Sequence, residues 1–166
     1  MLWLSALLPS SARAYEDQLS VGAGAGYAYA TQAGRAGHDH GHGAYVQLEA
    51  SLGLSTVWSL RGIVGFAEHP TRPSLAQGLV AAEALYLVDV LELVPYAGIG
   101  VDALAGFTAT DTHFAVGAHP VFGIDWLLGR SFLLGLSVRP VFILSDLVRG
   151  PLYLSSALTA AWLLDL

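Results

Sequence analysis

The sequence lacks cysteine and lysine, and it is poor in charge of either sign. Without cysteine the chain can form no disulfide and has no thiol chemistry. Seven arginines stand against thirteen acidic residues, and the resulting net charge of −6 argues against binding to nucleic acid. Charged residues make up 12% of the chain, about half of the share that soluble domains carry.

Long apolar runs are also missing. A hydrophobic fraction of 54% indicates a membrane protein, but a transmembrane helix needs about 20 mostly apolar residues. The most apolar window, residues 79–94, is interrupted by Glu83, Asp89 and Glu92. The apolar residues are spread through short alternating segments instead, which favours a barrel of strands over a bundle of helices.

Two long segments alternate strictly between apolar and small or polar residues. In residues 114–126 one face consists of Phe114, Val116, Ala118, Pro120, Phe122, Ile124 and Trp126. Residues 132–144 repeat the pattern, with bulky residues at every even position apart from Pro140. A period of two identifies strands. Bulky residues on one face with small residues and isolated charges on the other are typical of a membrane barrel with a narrow polar interior.

Extending this pattern along the chain gives eight strands. We place them at about residues 19–31, 44–54, 57–67, 76–88, 94–104, 114–126, 132–144 and 152–166. Short turns follow the second, fourth and sixth strands, and longer loops follow the others, as in outer-membrane barrels. We therefore predict one all-β domain over residues 15–166, an eight-stranded antiparallel up-and-down transmembrane β-barrel with both ends in the periplasm.

The aromatic residues support this topology, but two prolines do not fit a regular strand ladder. Trp58, Trp126, Phe132 and Trp162 fall near periplasmic strand ends, while Tyr29, Phe66, Phe114 and Phe142 fall near the opposite rim. Aromatic girdles at both interfaces are a barrel signature. Pro120 and Pro140 lie inside predicted strands, where proline cannot donate to the ladder. We expect a bulge or a local gap there.

Residues 1–14 are predicted to be a secretory signal peptide. An apolar core at residues 2–8 precedes Ala12-Arg13-Ala14, which has the small-x-small form of a cleavage site. The positive charge that usually precedes such a core is missing, and an ordinary N-terminal strand or helix is the alternative. Cleavage would leave six arginines against thirteen acids, a net charge of 6 − 13 = −7.

Together these features resemble the small bacterial outer-membrane barrels of the OmpA/OmpX-like type, over about residues 19–166. The most specific part is the last strand, which alternates Leu158, Ala160, Trp162, Leu164 and Leu166. Members of the family usually end on phenylalanine, where this chain has leucine. The resemblance implies insertion into outer-membrane lipid of a Gram-negative-type cell and recognition of the C-terminal strand by the barrel-assembly machinery. We expect a monomer without a cofactor.

Seven titratable residues fall in the inward register. An eight-stranded barrel is just wide enough for side chains to fill it, so charges inside must be paired or hydrated. We interpret these residues as a salt-bridge and water network that plugs the lumen; the alternative is a path for protons or small solutes. They are Glu49, Arg61, Glu83, Asp102, His119, Asp125 and Arg139.

Histidines cluster toward the predicted outer rim. His38, His40 and His42 alternate in the first outer loop, and His69 and His113 lie toward the same end. Histidines spaced in this way can chelate zinc, copper or nickel. The alternative is a flexible polar loop that binds no particular metal.

No catalytic residues are predicted. Some barrels of this size are lipid A deacylases, which use a serine activated by a histidine two residues earlier. Here Ala115 follows His113 and Val121 follows His119 at that spacing, so the nucleophile is missing. We predict a non-enzymatic protein with a structural or surface-interaction role; a narrow channel or transporter and a lipid A-modifying enzyme are the alternatives.

A soluble lipocalin-like barrel is a further alternative. Its faces would be reversed, with the bulky side chains packed inside the barrel. Phe122, Ile124 and Leu136 would then point into the lumen, while His119 and Arg139 would face solvent.

Overall fold

The protein is a closed β-barrel. The computed structural model describes residues 17–31, 40–70, 75–88, 92–107, 112–129, 131–146 and 152–166. Antiparallel strands pair in chain order, and the first pairs with the last. They are β1 (Gln18–Thr31), β2 (His40–Gly53), β3 (Trp58–His69), β4 (Leu75–Leu87), β5 (Leu93–Phe107), β6 (Thr112–Leu128), β7 (Phe132–Ile143) and β8 (Leu152–Asp165). The predicted eight-stranded up-and-down barrel is confirmed. The predicted signal peptide lies outside the described residues.

Each strand presents its bulky face outward. Phe122, Ile124 and Leu136 are 56%, 38% and 45% exposed, whereas His119 and Arg139 are buried inside. The reversed faces of a soluble lipocalin-like barrel are therefore wrong. An apolar exterior around a closed ladder is the arrangement that hydrocarbon requires, because lipid can satisfy no backbone hydrogen bond.

The barrel has two distinct ends. The turn end carries the connections at residues 54–57, 88–92 and 129–131 and both ends of the described chain, and the loop end carries the other connections. At the turn end, exposed Trp58 packs edge-on against Tyr86 with ring centroids 5.3 Å apart, and Phe132 packs on Trp162 at 5.2 Å. The exposed large aromatics of the loop end are Tyr27, Phe66, Phe107, Phe114 and Phe142. The two predicted aromatic girdles are therefore present.

The connections depart from the prediction at two places. Loops of eight residues, 32–39 and 144–151, follow β1 and β7, as expected. The connections after β3 and β5, residues 70–74 and 108–111, are short because those strands continue to His69 and Phe107. A 3₁₀ turn, Leu144–Asp146, follows β7. No helix within the described ranges is long and apolar enough to cross a bilayer.

The interior is not polar throughout, which corrects the prediction. Toward the loop end a buried apolar cluster contains Tyr45, Ile63, Leu79, Leu104, Val141 and Tyr153. Toward the turn end a second cluster contains Leu85, Leu87, Val94, Tyr96, Val121 and Leu133. The ion-paired side chains lie in a layer between them. Small barrels fill their interiors with side chains, and here apolar packing closes both ends of the lumen.

The joint that closes the ring is formed by glycine on its inner side. Gly22 and Gly24 of β1 face β8, where an added Cβ would lie 2.6 Å from the Cβ of Ala161 and 2.5 Å from Cγ2 of Thr159. No other residue type fits this approach. Beyond the strand ends, the amide of Leu166 donates to the carbonyl of Asp17 at 3.1 Å.

The two strand prolines share a single gap in the wall. The β6–β7 ladder pairs Ala118 with Phe142 and Phe122 with Val138, but three residues on each strand between these pairs are unpaired. Equal numbers on the two strands mean that no residue is inserted, so the predicted gap is confirmed and the alternative of a bulge is wrong. We call residues 119–121 and 139–141 the proline seam.

Pro120 and Pro140 face each other across this seam. The amide of Leu127 donates toward β5. Successive residues of a strand point their backbone N–H and C=O groups to opposite neighbours, so the backbone nitrogen and carbonyl of Pro120 point toward β7. The amide of Leu163 on β8 donates to the carbonyl of Ser131, so the backbone of Ser131 points toward β8. By the same alternation the backbone nitrogen and carbonyl of Pro140 point the other way, toward β6. Each proline lacks the N–H that the other's carbonyl would accept. Because the two prolines face each other, both missing hydrogen bonds fall at the same position between β6 and β7.

Replacing Pro120 and Pro140 with alanine should close the seam. Each new amide would donate to the opposite carbonyl and contribute about 1 kcal/mol, partly offset by the greater freedom of the unfolded chain. The double variant should show two newly protected amides in hydrogen exchange and a higher free energy of unfolding in urea.

Pro95→Ala is the matched control. Pro95 is also exposed in its strand, but it lies next to the turn end, where its carbonyl accepts from Val88 at 2.8 Å. An alanine amide at position 95 would face the carbonyl of Val88 just beyond the last ladder pair, Leu87 with Tyr96, so the unfolding free energy should rise by less than in the double variant. Unprotected amides at positions 120 and 140 would contradict the proposed opposition.

Candidate functional site

The buried ionic layer is the candidate functional site. Its ion-paired members stand on five successive strands, β3 to β7, because alternation turns one face of each strand inward. Arg61 and Glu83 are direct cross-strand neighbours, and His119 lies opposite Gly100. Arg61, Glu83, Asp102, His119 and Arg139 are at most 5% exposed.

Glu83 is the centre of the layer. Its Oε2 accepts from Nε of Arg61 at 2.7 Å and lies 2.5 Å from a terminal nitrogen of the same guanidinium. Its Oε1 lies 3.0 Å from Nε2 of His119 and 3.6 Å from Nη1 of Arg139. One carboxylate therefore contacts three cationic or basic side chains from three other strands.

His119 is held between two carboxylates. Nδ1 lies 2.5 Å from Oδ2 of Asp102, and Nε2 contacts Glu83 on the other side of the ring. Both ring nitrogens can donate at once only in the imidazolium form. The geometry thus favours a charged His119, which makes the layer a chain of alternating charges.

Arg139 braces the barrel across its width. From β7 its Nη2 donates to the hydroxyl of Tyr45 at 3.2 Å and to Oε1 of Gln47, both on β2. Nε2 of Gln47 in turn donates to Oε2 of Glu49 at 2.6 Å. Glu49 therefore joins the layer through Gln47 and makes no direct ion pair among the described side chains.

Tyr96 supports the opposite side of the layer. Its hydroxyl accepts from Nη1 of Arg61 at 3.0 Å, and the guanidinium carbon lies 5.0 Å from the ring centroid. Arg139 lies over Tyr45 in the same manner, at 5.6 Å. Each arginine therefore has an aromatic face and a phenol oxygen in addition to its carboxylate.

Glycine makes room for the central ring. At Gly100 an added Cβ would lie 2.5 Å from Cε1 of His119. Gly123 accommodates the ring of Tyr96 in the same way. The small residues in the inward register thus determine where the large polar rings can lie.

Asp125 does not join the network, which corrects the prediction. Its carboxylate makes no hydrogen bond or ion pair with any described residue. It lines a cavity of about 20 Å³ near the turn end, together with Glu49, Ser51 and Arg61, and that volume holds about one water molecule. β6 places Asp125 six residues beyond His119, about 20 Å along the strand. It therefore lies at the turn-end edge of the layer, where it shares the cavity with Arg61 but forms no ion pair with it.

The charges of the described interior do not balance. Glu49, Glu83, Asp102 and Asp125 face Arg61 and Arg139, a surplus of 4 − 2 = 2 negative charges when His119 is neutral and 4 − 3 = 1 when it is protonated. The layer has acids and a base, but neither nitrogen of His119 contacts a serine or threonine hydroxyl. It can hold charge and brace strands, and it lacks the arrangement of an activated nucleophile.

The predicted histidine cluster of the loop end lies partly outside the described residues, so the structure does not test it. His40 and His42 belong to β2, not to the preceding loop, and His38 lies outside the described residues. Nδ1 of His42 bonds the hydroxyl of Tyr27, and its ring lies 5.3 Å from that of Tyr29. Among the described residues no group of three metal-ligating side chains is assembled. A metal site involving His38, His40 and His42 stays a prediction.

Sequence reasoning missed Tyr45, Gln47 and Tyr96 as members of the layer. All three occupy the inward register, which alternation alone could have shown. They were passed over because an uncharged side chain gives no signal of an ionic contact. Their role depends on strand register, which brings each of them beside an arginine.

Comparisons with known proteins agree on the fold. No protein-family model and no curated protein sequence matches the chain. Among solved structures, Neisserial surface protein A superposes with a TM-score of 0.69 at 14% identity, over 89% of this chain and 97% of that one. Ail of Yersinia pestis superposes with a TM-score of 0.58 at 11% identity, over 90% of this chain and 99% of that one. OprG of Pseudomonas aeruginosa superposes with a TM-score of 0.59 at 11% identity, over 93% of this chain and 99% of that one.

The class of protein follows from these likenesses and from the closed ladder. The chain has the fold of the small eight-stranded outer-membrane barrels. The resemblance inferred from the sequence is confirmed at this level. At identities of 11–14% the likeness establishes the fold and nothing finer.

Glu83→Gln should be the most damaging conservative change in the lumen. It would leave Arg61, Arg139 and His119 without their shared counter-charge, and breaking a buried pair costs about 3 kcal/mol or more. Urea unfolding in lipid vesicles would measure the loss. Asp125→Asn is the control: that carboxylate is unpaired, so removing its charge breaks no ion pair and should not lower the free energy of unfolding. Equal effects would contradict the central position of Glu83.

Gly100→Ala should displace His119. The added methyl group would overlap the imidazole and cost about 1–3 kcal/mol, and the ring signals of His119 in NMR spectra should shift. Gly62→Ala is the matched control because a Cβ there would meet nothing within 4 Å. If Gly100→Ala left both the free energy of unfolding and the ring signals of His119 unchanged, Gly100 would not be what makes space for the imidazole.

Proposed function

We propose that this protein is a non-enzymatic integral barrel of the bacterial outer membrane with a structural and surface-interaction role. The observation that carries the proposal is a bulky apolar exterior around an interior that side chains close. Such a molecule presents to its surroundings only its wall, which contacts lipid, and its two rims.

The exterior supports the membrane location. Thirty-one large hydrophobic side chains are exposed in the described residues, among them Ile99 at 72% and Phe114 at 79%. Soluble monomers rarely expose apolar patches of more than a few hundred Å². Exposed aromatic residues at both ends of the barrel match the positions of the two membrane interfaces.

The interior argues against the alternative of a channel. A path along the axis would cross the loop-end apolar cluster, the ionic layer and the turn-end cluster in succession. In the layer Arg139 reaches from β7 to β2 and blocks the width of the lumen. Ions would have to displace both apolar packing and buried charge pairs, each at a cost of several kcal/mol.

The rims are where a partner could bind. At the loop end the described polar side chains of Glu68, Thr112 and His113 are exposed. One structural neighbour, Ail, is named the attachment invasion locus protein, which supports a surface role for the loop end here. A lipid-modifying enzyme is disfavoured because His119 is engaged by two carboxylates instead of a nucleophile.

Two measurements on protein refolded in vesicles test the proposal. Gel migration should be heat-modifiable, and brominated lipids should quench the fluorescence of Trp58, Trp126 and Trp162 more strongly with bromine near the interface than at the chain end. Planar bilayers should show no unit conductance. Stable conductance steps would favour the channel, and absence of both heat modifiability and quenching would refute the membrane barrel.

A further inference from the structure

The cavity beside Asp125 is a small space with a largely oxygen-bearing polar wall. Its volume of about 20 Å³ holds about one water molecule or one small ion. Six polar side chains and three leucines line it. The polar ones are two carboxylates, three hydroxyls and one guanidinium: Glu49, Asp125, Ser20, Ser51, Ser59 and Arg61. We call this space the turn-end chamber.

Strand register assembles the chamber from opposite sides of the ring. Ser20 on β1 pairs with Ser51 on β2, and Ser51 pairs with Arg61 on β3. Asp125 reaches the chamber from β6. Its partner on β7, Gly135, leaves space for the carboxylate, because a Cβ there would lie 2.6 Å from Oδ1 of Asp125. Oxygen atoms from both halves of the barrel therefore face one small space.

The two carboxylates of the chamber lack a counter-charge. Asp125 makes no hydrogen bond or ion pair with any described residue, and Glu49, which is 8% exposed, accepts only from the amide of Gln47. Arg61 is already paired with Glu83. The surplus of at least one negative charge in the described interior thus falls on the residues of this chamber. Because an uncompensated buried charge is expensive, we expect a positive charge beside them.

Ser20 is an independent indication of an occupant. Its side chain is 9% exposed and lines the chamber, and its hydroxyl makes no hydrogen bond with any described residue. Buried hydroxyl groups normally have a partner, so the free oxygen of Ser20 indicates a ligand in the chamber. Carboxylate and hydroxyl oxygens are the ligands that hard cations take in proteins.

Charge and size restrict the cation. With His119 protonated the described interior carries one surplus negative charge, and the guanidinium of Arg61 stands in the chamber wall, so a single positive charge fits better than two. The volume of about 20 Å³ excludes organic cations such as choline. A water molecule would fill the space but would leave the carboxylates without a counter-charge, and an anion would be repelled.

The turn-end rim favours the approach of cations. The exposed charged side chains that the structure describes there are Asp17, Glu92 and Asp165. In the sequence of the adjoining turns, Asp89 and Arg130 cancel each other in charge. A mouth lined by one sign of charge raises the local concentration of ions of the opposite sign.

We propose that the turn-end chamber binds a small monovalent cation, such as Na⁺, between the carboxylates of Glu49 and Asp125 and the serine hydroxyls. Asp125 and Ser51 remain partly exposed beside the turn-end apolar cluster. The ion can therefore enter from the turn end without crossing the ionic layer. The site goes beyond the structural and surface role proposed above and requires only the closed barrel.

Urea unfolding of the protein refolded in phosphatidylcholine vesicles tests the site. In a series that replaces choline chloride with NaCl at constant total salt, Na⁺ should stabilise the barrel saturably. Because only the folded chain has the chamber, the unfolding equilibrium constant should fall about tenfold when Na⁺ reaches nine times its Kd. Equal stability in the two salts throughout the series, as expected if water alone fills the chamber, would overturn the proposal.

Variants assign the effect to the chamber. Asp125→Asn and Glu49→Gln should each remove most of the sodium dependence. Asp165→Asn is the matched control and should keep it, because this change removes an exposed rim charge but retains an amide oxygen for Gln18. In choline chloride, the condition in which Asp125→Asn serves as the control for Glu83→Gln, that variant should be no less stable than the unchanged protein.

Heat-modifiable migration shows which variants fold. If one chamber variant does not fold, the other decides, and the salt series on the unchanged protein decides if neither does. Sodium dependence that the folded chamber variants retain, or that Asp165→Asn loses, would assign the effect to the rim and refute the site.

Discussion

The structure depends on one constraint: in hydrocarbon every backbone N–H and C=O must find its partner within the wall. A closed antiparallel ladder of eight strands meets this requirement almost everywhere. The constraint also explains the arrangement of the two prolines. Two separate prolines would weaken two joints between strands, whereas opposed prolines leave one gap and preserve every other pairing.

A narrow ring imposes a second requirement, because its interior must be filled. The chain meets it with apolar packing toward both ends and a charged layer between them. Burying charges is expensive, and Glu83 reduces that cost by serving Arg61, Arg139 and His119 together. The aromatic faces of Tyr45 and Tyr96 cover the guanidinium groups that the carboxylates leave open.

The sequence was sufficient to predict the number, order and facing of the strands, because a period of two leaves little freedom in a barrel wall. Contacts between strands were not predictable in the same way. Glu83 and Asp125 are both inward carboxylates, but only register decides that the first meets two arginines while the second lies beside a small cavity. One signal was available and overlooked: Pro120 and Pro140 stand ten residues on either side of position 130, the centre of the 129–131 turn.

The glycines of β1 bear on the order of assembly. Every charged side chain of the central layer belongs to β2 to β7, and the closing joint between β1 and β8 contributes none of them. Gln18 and Asp165, which meet at that joint, are 147 residues apart in the chain, so the joint carries a larger loop-closure cost than any pairing of consecutive strands. A glycine-faced strand has no inner side chains to order at Gly22 and Gly24. The six middle strands can therefore organise the lumen first, and the ring can close over contents already in place.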